Sequence, residues 1–373
     1  MANQFSSTES ATSLIDGSLT RPPRIAVAGV SGYAGGELAR LLLHHPNLNG
    51  TKPAFLGRAG DPDTKTSTWL EELHPHLGVV GSTEANEVFP FSWDRLTDSG
   101  IEILFLATPH EQSREWVPEA IERGLKVIDL SGAWRLHEKR NRDVYKLHDA
   151  DPAVAAARQK EAVYGCPELH RDAIKTARLV ANPGCYSTSI ILALAPLLQA
   201  DMVDLLFGII CDSKSGVSGA GKAATAKTHF MSVADNFSAY SVFGHRHIGE
   251  MIEQLHLESD QIQFTPHLLP IPRGILSTIY LRFKHQTDTQ SISDILKAFY
   301  RDSPMVRLHV SPDLPQIHHV ARTNFCDLGF HLAEDGKRLV IVSCLDNLLK
   351  GAAGQAVQNL NLMCGWNEQE GLL

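Results

Sequence analysis

The sequence predicts a two-domain α/β protein: a nucleotide-binding style domain with a parallel sheet covered by helices, then an α+β domain whose mixed sheet is largely antiparallel. Three observations predict it. From residue 24 to about residue 182, short apolar strands alternate with helical stretches, the pattern of a parallel sheet with helices on its faces. A glycine-rich segment separates the first strand from the first helix. Beyond residue 182 the strands lengthen and alternate in polarity, as expected where only one sheet face is covered.

In order, RIAVAG (24–29) reads as a short buried strand, and GGELARLLLHHP (35–46) as a helix with Leu38, Leu41 and Leu42 at helical spacing and Pro46 just past its end. KPAFLG (52–57), IEILFLA (101–107) and LKVIDL (125–130) are further strands. A helix starts at Cys185 and runs through YSTSIILALAPLL. It is followed by VDLLFGII, a Gly/Ser-rich loop SKSGVSGAGK (213–222) and the strand ILSTIYLRF (275–283). The strand RLVIVSC (338–344) and the helix AAGQAVQNLNLM (352–363) close the chain.

At 373 residues the chain exceeds one ordinary core. Apolar residues make up 43% and charged residues 20%, the balance of a soluble globular protein. A net charge of -8 gives no reason to expect nucleic acid or an anionic membrane as partner. The longest apolar run, SIILALAPLL, is too short to span a membrane and contains Pro196. The first 20 residues are Ser/Thr-rich with acids and no apolar core, so residues 1–22 are expected to be a disordered extension rather than a targeting signal. Six cysteines without a CxxC pair point to a reducing compartment, and the protein is expected in the cytoplasm. The eighteen histidines cluster at 74–76, 245–247 and 318–319 without carboxylate or cysteine partners at helical spacing, so no metal is expected.

GVSGYAGGE (29–37) places Gly29, Gly32 and Gly35 three apart between strand and helix, where bare backbone can approach a pyrophosphate and the helix N-terminus offers free N–H groups to it. The spacing is not the usual G-x-G-x-x-G, but its strand-loop-helix context marks a Rossmann-type site. The second strand ends in FLGRAG, with Arg58 and no acid before Asp61, which favours NADP over NAD. Arg58 is either the contact to the 2′-phosphate or a solvated loop cation.

In ANPGCYST (181–188), Cys185 stands at a helix N-terminus, where the dipole and free N–H groups lower a thiol from about 8.5 toward neutrality. Such a thiolate can attack an acyl carbon. The alternative is a packed structural cysteine, against which Asn182 and Gly184 argue as turn residues that keep the site near the surface. GHRHIGE (244–250) offers His245, His247 and Glu250 as a proton shuttle, and periodicity does not say which histidine faces the thiol. Ser215, Gly216, Ser218 and Lys222 suit a phosphate, and Arg135 and Arg273 are either bidentate anion clamps or structural ion-pair partners.

Together, GVSGYAGGELARLL, NPGCYSTS, SGVSGAGK, GHRHIGE, PIPRGILST and DNLLKGAAGQAVQN resemble, in order over residues 24–366, the N-acetyl-gamma-glutamyl-phosphate reductases, NADPH-dependent enzymes of arginine biosynthesis. The resemblance implies that Cys185 displaces phosphate from an acyl phosphate to form a thioester, which NADPH reduces to N-acetylglutamate semialdehyde. It makes His245 the acid/base, with His247 as second choice. It places Gly29, Ser31, Gly32, Tyr33, Ala34, Gly35 and Asn347 beside the dinucleotide, and with them we group Pro109, Arg58, Ser215 and Gly216. Arg135, Asn182, Ser218, Lys222, Glu250 and Arg273 are then the expected substrate contacts. The last helix returns to the first domain, giving an NADP-binding domain of residues 23–184 and 345–373 and a catalytic and oligomerisation domain of residues 185–344. A homodimer or homotetramer acting on a small acyl phosphate and inorganic phosphate is implied.

The chain departs from that pattern at Gly249, where proline is usual, and in lacking a hydroxyl-rich run after the second strand. Two other readings compete. One keeps the mechanism on another acyl phosphate, such as aspartyl phosphate or an aminoadipate derivative. The other is a non-catalytic NADP-sensing Rossmann protein, against which the joint presence of Cys185, His245, Lys222 and Arg273 argues.

Overall fold

The computed structural model describes residues 21–48, 50–57, 68–78, 86–309 and 312–373. Most of the expected N-terminal extension, residues 1–20, lies outside them. The first sheet has eight strands: β1 (Ile25–Ala28), β2 (Ala54–Leu56), β3 (Thr68–Trp69), β4 (Glu87–Phe89), β5 (Ile103–Leu106), β6 (Lys126–Asp129), β7 (Val163–Tyr164) and β8 (Leu179–Ala181). Their order is β3-β4-β2-β1-β5-β6-β8-β7, parallel except for the β3–β4 pair. The strands are apolar on both sides because both faces are covered. Ile25 and Val27 join one core with Leu38, Leu42, Val357 and Leu360, while Ala26 and Ala28 join the other with Val117, Ala120 and Trp134.

The second sheet contains β9 (Ile209–Gly216), β10 (Ser238–Ala239), β11 (Ile262–Leu269), β12 (Ile275–Arg282), β13 (Val306–Leu308), β14 (Cys326–Leu332) and β15 (Arg338–Leu345). The order is β10-β11-β9-β12-β15-β14-β13. The β9–β11 and β13–β14 pairs are parallel and the others antiparallel, so the sheet is mixed and mostly antiparallel, as its alternating polarity predicts.

Six helices place the functional residues: α1 (Tyr33–Leu43), α2 (His110–Glu122), α3 (Pro167–Thr176), α4 (Cys185–Gln199), α5 (Ile248–Leu255) and α6 (Gly354–Met363). Helix α4 is buried almost throughout and lies on the covered face of the second sheet. Ser189 pins it there through hydrogen bonds with the hydroxyls of Ser277 at 2.9 Å and Ser343 at 3.0 Å. Helix α6 packs between α1 and α3 although it carries Gln355, Gln358, Asn359 and Asn361 fully buried. Their amide nitrogens find acceptors: Gln355 and Asn359 both donate to the Gly165 carbonyl, Gln358 to the Glu368 carboxylate and Asn361 to the Glu368 carbonyl. Buried amides are tolerated only when paired in this way.

Three local readings need correction. The first helix starts at Tyr33, because Gly32 serves as its N-cap. SKSG is the end of β9 rather than loop, since Ser213 and Ser215 alternate into the core with Cys211. The closing helix is preceded by a π-helical turn, Leu349–Ala353, which periodicity alone does not reveal. Among the described residues no helix is long and apolar enough to cross a membrane.

Candidate active site

Strand β8 ends at Ala181, and Asn182-Pro183-Gly184 turn the chain into α4, with Gly184 as N-cap and Cys185 as first helical residue. Glycine is required there: a Cβ on residue 184 would stand 2.5 Å from His247 Nε2. From the other side the π-turn closes in, and a Cβ on Gly351 would stand 2.6 Å from Cys185 Cβ. Gly351→Ala is therefore expected to push the thiol aside, lowering kcat about 10–100-fold and stability by about 1–3 kcal/mol. Steady-state kinetics and urea denaturation check this, and wild-type values in both would contradict the contact.

Cys185 is half-buried, and Asn182 and Gly184 are buried, so the turn does not keep the site at the surface. This reverses the expectation for the thiol. Burial pushes Cys185 up to about 11, against the opposing pull of the Tyr186 amide, Arg135 and Arg246. Desolvation outweighs the helix terminus because the charge, not the neutral thiol, loses its water. At pH 8 the free protein then holds about one thiolate in 10³. Alkylation of Cys185 by iodoacetamide should accelerate about tenfold per pH unit up to at least pH 10. A plateau at pH 7–8 would restore the low-pKa thiolate.

The two histidines stand together, ring centroids 4.7 Å apart. His245 is half-buried among Tyr186, Tyr240 and Phe264. Its Nδ1 accepts the His247 main-chain N–H at 3.1 Å, so the neutral ring carries its proton on Nε2. Burial, reinforced by Arg246, lowers His245 to about 4. His247 is buried against Gly184 with Nδ1 unpartnered, and burial, His245 and nearby arginines hold it well below the ordinary histidine value. Both rings are neutral at pH 7.

Glu250, on α5 one turn beyond His247, ties these parts to one another. It accepts from the Gly184 amide at 2.9 Å, the Tyr164 hydroxyl at 2.7 Å and Arg135 at 3.0 Å. Arg135 also donates to the carbonyls of Asn182 (2.7 Å) and Leu130 (2.7 Å). Asn182 in turn donates to the Ala352 carbonyl at 3.0 Å and accepts from Asn359 at 3.0 Å. Arg135, Asn182 and Glu250, expected as substrate contacts, form a buried hydrogen-bonded frame around the turn that leads into Cys185.

A cavity of about 780 Å³ opens over Cys185 and is lined by Tyr186, Ser215, Lys227, Tyr240, His245, Arg246 and His247, among others. Of the expected anion-binding residues, Ser215 reaches it. Lys222 instead donates to the carbonyls of Ser31 (3.1 Å) and Leu73 (3.4 Å), beside the glycine-rich turn. Arg273 pairs with Glu37 of α1 and lies 3.7 Å from Asp346, its structural alternative. Gly216 packs on the Arg273 main chain. Ser218 accepts from Asn347 at 2.9 Å, and Asn347 also accepts from the Gly274 amide at 2.8 Å. Sequence reading missed Lys227, Tyr240 and Arg246 as cavity residues, although Arg246 stood in plain view between the two histidines.

The glycine-rich turn has the form a dinucleotide needs. Gly29 adopts φ +87° with the Ala107 main chain pressed against it, and Gly35 packs on the backbone of Gly29 and Val30. Ser31 and Tyr33 are exposed, and Gly32 and Ala34 half-buried, around the start of α1. Pro109, the N-cap of α2, is exposed. Arg58 lies outside the described residues. Among the described residues one group has metal-ligand spacing, His309, His319 and Asp327, but Arg307 holds both Asp327 oxygens at 2.7 and 2.9 Å.

Family models described as the NAD binding domain and the dimerisation domain of semialdehyde dehydrogenase match residues 24–177 and 185–347. An N-acetyl-gamma-glutamyl-phosphate reductase of Methanocaldococcus jannaschii is 43% identical over 356 residues, covering 93% of this chain and 97% of that protein. One from Desulforapulum autotrophicum is 41% identical over 357 residues, covering 94% and 97%. Among solved structures, aspartate semialdehyde dehydrogenase II from Vibrio cholerae superposes with TM-score 0.66 at 18% identity, covering 92% of this chain and 98% of that one. The aspartate semialdehyde dehydrogenase of Candida albicans, solved with NADP, gives TM-score 0.62 at 14% identity over 92% and 98%.

Proposed function

The chain belongs to the N-acetyl-gamma-glutamyl-phosphate reductases of the semialdehyde dehydrogenase family, and from that premise we propose how its residues perform the reaction. It is an acyl-phosphate reductase that uses a nicotinamide dinucleotide to convert N-acetyl-gamma-glutamyl phosphate to the semialdehyde and phosphate, a step of arginine biosynthesis. The relatives do not favour the aspartyl, aminoadipate or sensor alternatives.

The observation that carries the mechanism is that Cys185, His245 and His247 line one cavity, with Gly351 packed on the cysteine from behind. Cys185 Sγ attacks the acyl carbon, the carbon–oxygen bond to phosphate breaks, and the thiol proton leaves with the phosphate. The high thiol pKa keeps Cys185 protonated until substrate arrives. Bound reduced dinucleotide supplies the hydride that takes the thioester to the aldehyde level. His245, neutral and with Nδ1 held by the His247 amide, directs its Nε2–H as a hydrogen bond to the oxygen at the reacting carbon, and a proton from solvent completes the hemithioacetal. Collapse of the resulting hemithioacetal releases the aldehyde and restores the thiol.

Gly29, Ser31, Gly32, Tyr33, Ala34, Gly35 and Pro109 are the proposed dinucleotide contacts, supported by the bare turn at the start of α1. NADP is preferred to NAD on the sequence after β2. The division at 184/185 and 344/345, a homodimer or homotetramer, and a cytoplasmic location complete the reading. An exposed apolar strip of Phe207, Ile210 and Tyr280 on the second sheet supports self-association.

N-acetylglutamate semialdehyde offered with phosphate and either NADP or NAD tests this. Phosphate-dependent oxidation with NADP favoured at least about tenfold is expected. Turnover of aspartate semialdehyde but not the N-acetylglutamate compound would overturn it.

A further inference from the structure

Lysine is almost never fully buried unless it is paired, and among the described residues Lys350 is the one buried lysine. It stands within the π-helical turn Leu349–Ala353, one residue before the glycine that packs on Cys185. Its Nζ donates to Glu168 Oε1 on α3 and to Gln358 Oε1 on α6, each at 2.7 Å. Neither side chain of the Lys350–Glu168 pair has any exposed surface. Burial pushes Glu168 up, yet Lys350 beside it holds the carboxyl below its ordinary value, so the carboxylate stays charged at neutral pH. Gln358 donates in turn to Glu168 at 3.2 Å and to the Glu368 carboxylate at 2.6 Å, and Arg171 of α3 closes the network on Glu368. These groups stand apart from the residues that line the cavity over Cys185, and the chemistry above does not use them.

Stability does not account for the pair. A buried ion pair recovers in attraction little more than it loses in hydration, and apolar side chains of the same volume often hold a fold as well or better. What the pair fixes is a position. At the front of the π-turn the Asp346 carboxylate accepts the Leu348 and Leu349 amides at 2.8 and 3.1 Å, and the Asp346 carbonyl accepts the Gly351 amide at 2.9 Å. At its rear Asn182 donates to the Ala352 carbonyl at 3.0 Å. These bonds grip main-chain atoms at the two ends, and Lys350 is the side chain that ties the middle of the turn to α3 and α6. Gly351 meets Cys185 so closely that an added Cβ would stand 2.6 Å from the cysteine's own. A displacement of about 1 Å at a reacting group is enough to cost on the order of 10²-fold in rate.

We propose that Lys350 and Glu168 are the positioning pair of this active site: by locking the π-turn to α3 and α6 they set the depth at which Gly351 packs on Cys185. The inference rests on Cys185 as the nucleophile, and neither residue of the pair touches substrate. Without the pair the turn relaxes, which opens the thiol to water and spoils its aim at the acyl carbon. In a protein as stable as wild type, reactivity toward a small reagent then rises while turnover falls.

The test measures kcat and KM for semialdehyde oxidation, melting temperature, and iodoacetamide alkylation of the Cys185 peptide at pH 8. It compares wild type with Lys350→Met, the double variant Lys350→Met/Glu168→Gln, and Glu168→Asp. Lys350→Met leaves Glu168 charged and alone, and should lower the melting temperature by about 5–10 °C. The double variant removes both charges, and the amide placed at position 168 can donate to Gln358, so its melting temperature should return to within about 3 °C of wild type. Its kcat should nonetheless stay about 10–100-fold down, with KM within about threefold. Its alkylation should run about 3–10-fold faster. Glu168→Asp keeps both charges and draws the carboxylate back by one methylene, and should show the same two changes at about threefold each. A double variant in which kcat and the alkylation rate recover along with the melting temperature overturns the proposal, as does a loss confined to KM. If the double variant does not fold, Glu168→Asp decides, and wild-type kcat and alkylation in it overturn the proposal. If Cys185→Ala keeps its activity, the nucleophile reading fails, and the alkylation rates alone decide whether the pair sets the depth of the thiol.

Discussion

Cys185→Ala is expected to lose turnover by at least about 10³-fold while binding the dinucleotide within about threefold of wild type. The two effects separate because the thiol sits at the start of α4, on the floor of the cavity, whereas the glycine-rich turn sits at the start of α1. Removing Sγ leaves no atom to form the thioester, and neither histidine can substitute, since His247 is buried and His245 carries its proton toward the cavity in the neutral state. Steady-state assays and a fluorescence titration with NADPH check both halves. Near-wild-type activity would remove the covalent route, and joint loss of binding would mean that the substitution disturbs the fold.

Glu250→Ala is expected to cost about 3–5 kcal/mol of stability, the usual consequence of leaving a buried charge alone. Arg135 is almost wholly buried and Glu250 wholly so. The same change frees the Gly184 amide, so activity should fall further than the loss of folded protein explains. Glu250→Gln keeps the acceptor for Gly184 and Tyr164 but gives up the charge, and should lie between the two. Thermal or urea denaturation reads the first effect and kcat on the folded fraction the second. A loss below about 0.5 kcal/mol in Glu250→Ala would mean that the frame does not depend on this carboxylate.

What the sequence makes legible is what its local patterns encode. The strand-turn-helix around Gly29, the helix beginning at Cys185 and the alternating strands of the second sheet are each written within about ten residues, and each has its place in the structure. Side-chain partners across the chain are not written that way. Arg135 meets Glu250 and Arg273 meets Glu37 from more than 100 residues away, so an arginine after a strand reads equally as anion clamp or ion-pair partner until the fold is known. In the structure both arginines stand in ion pairs. The Cys185 thiol shows the same limit: a helix terminus is visible in sequence, but the burial that outweighs it is set by the surrounding fold, with Gly351 of the π-turn packed against Cys185. Arg246 was hidden differently, since its neighbours His245 and His247 drew the chemistry to themselves while its partner His110 stands in the other half of the chain.

The central claim is that Cys185 carries the acyl group. The most direct measurement mixes the enzyme with N-acetylglutamate semialdehyde and NADP in the absence of phosphate, follows the first turnover, and maps the acid-quenched protein by mass spectrometry. The account predicts a burst of NADPH equal to the number of active sites and an N-acetylglutamyl adduct on the peptide containing Cys185. No burst and no adduct in an enzyme that turns over when phosphate is added, or an adduct on another residue, would contradict it.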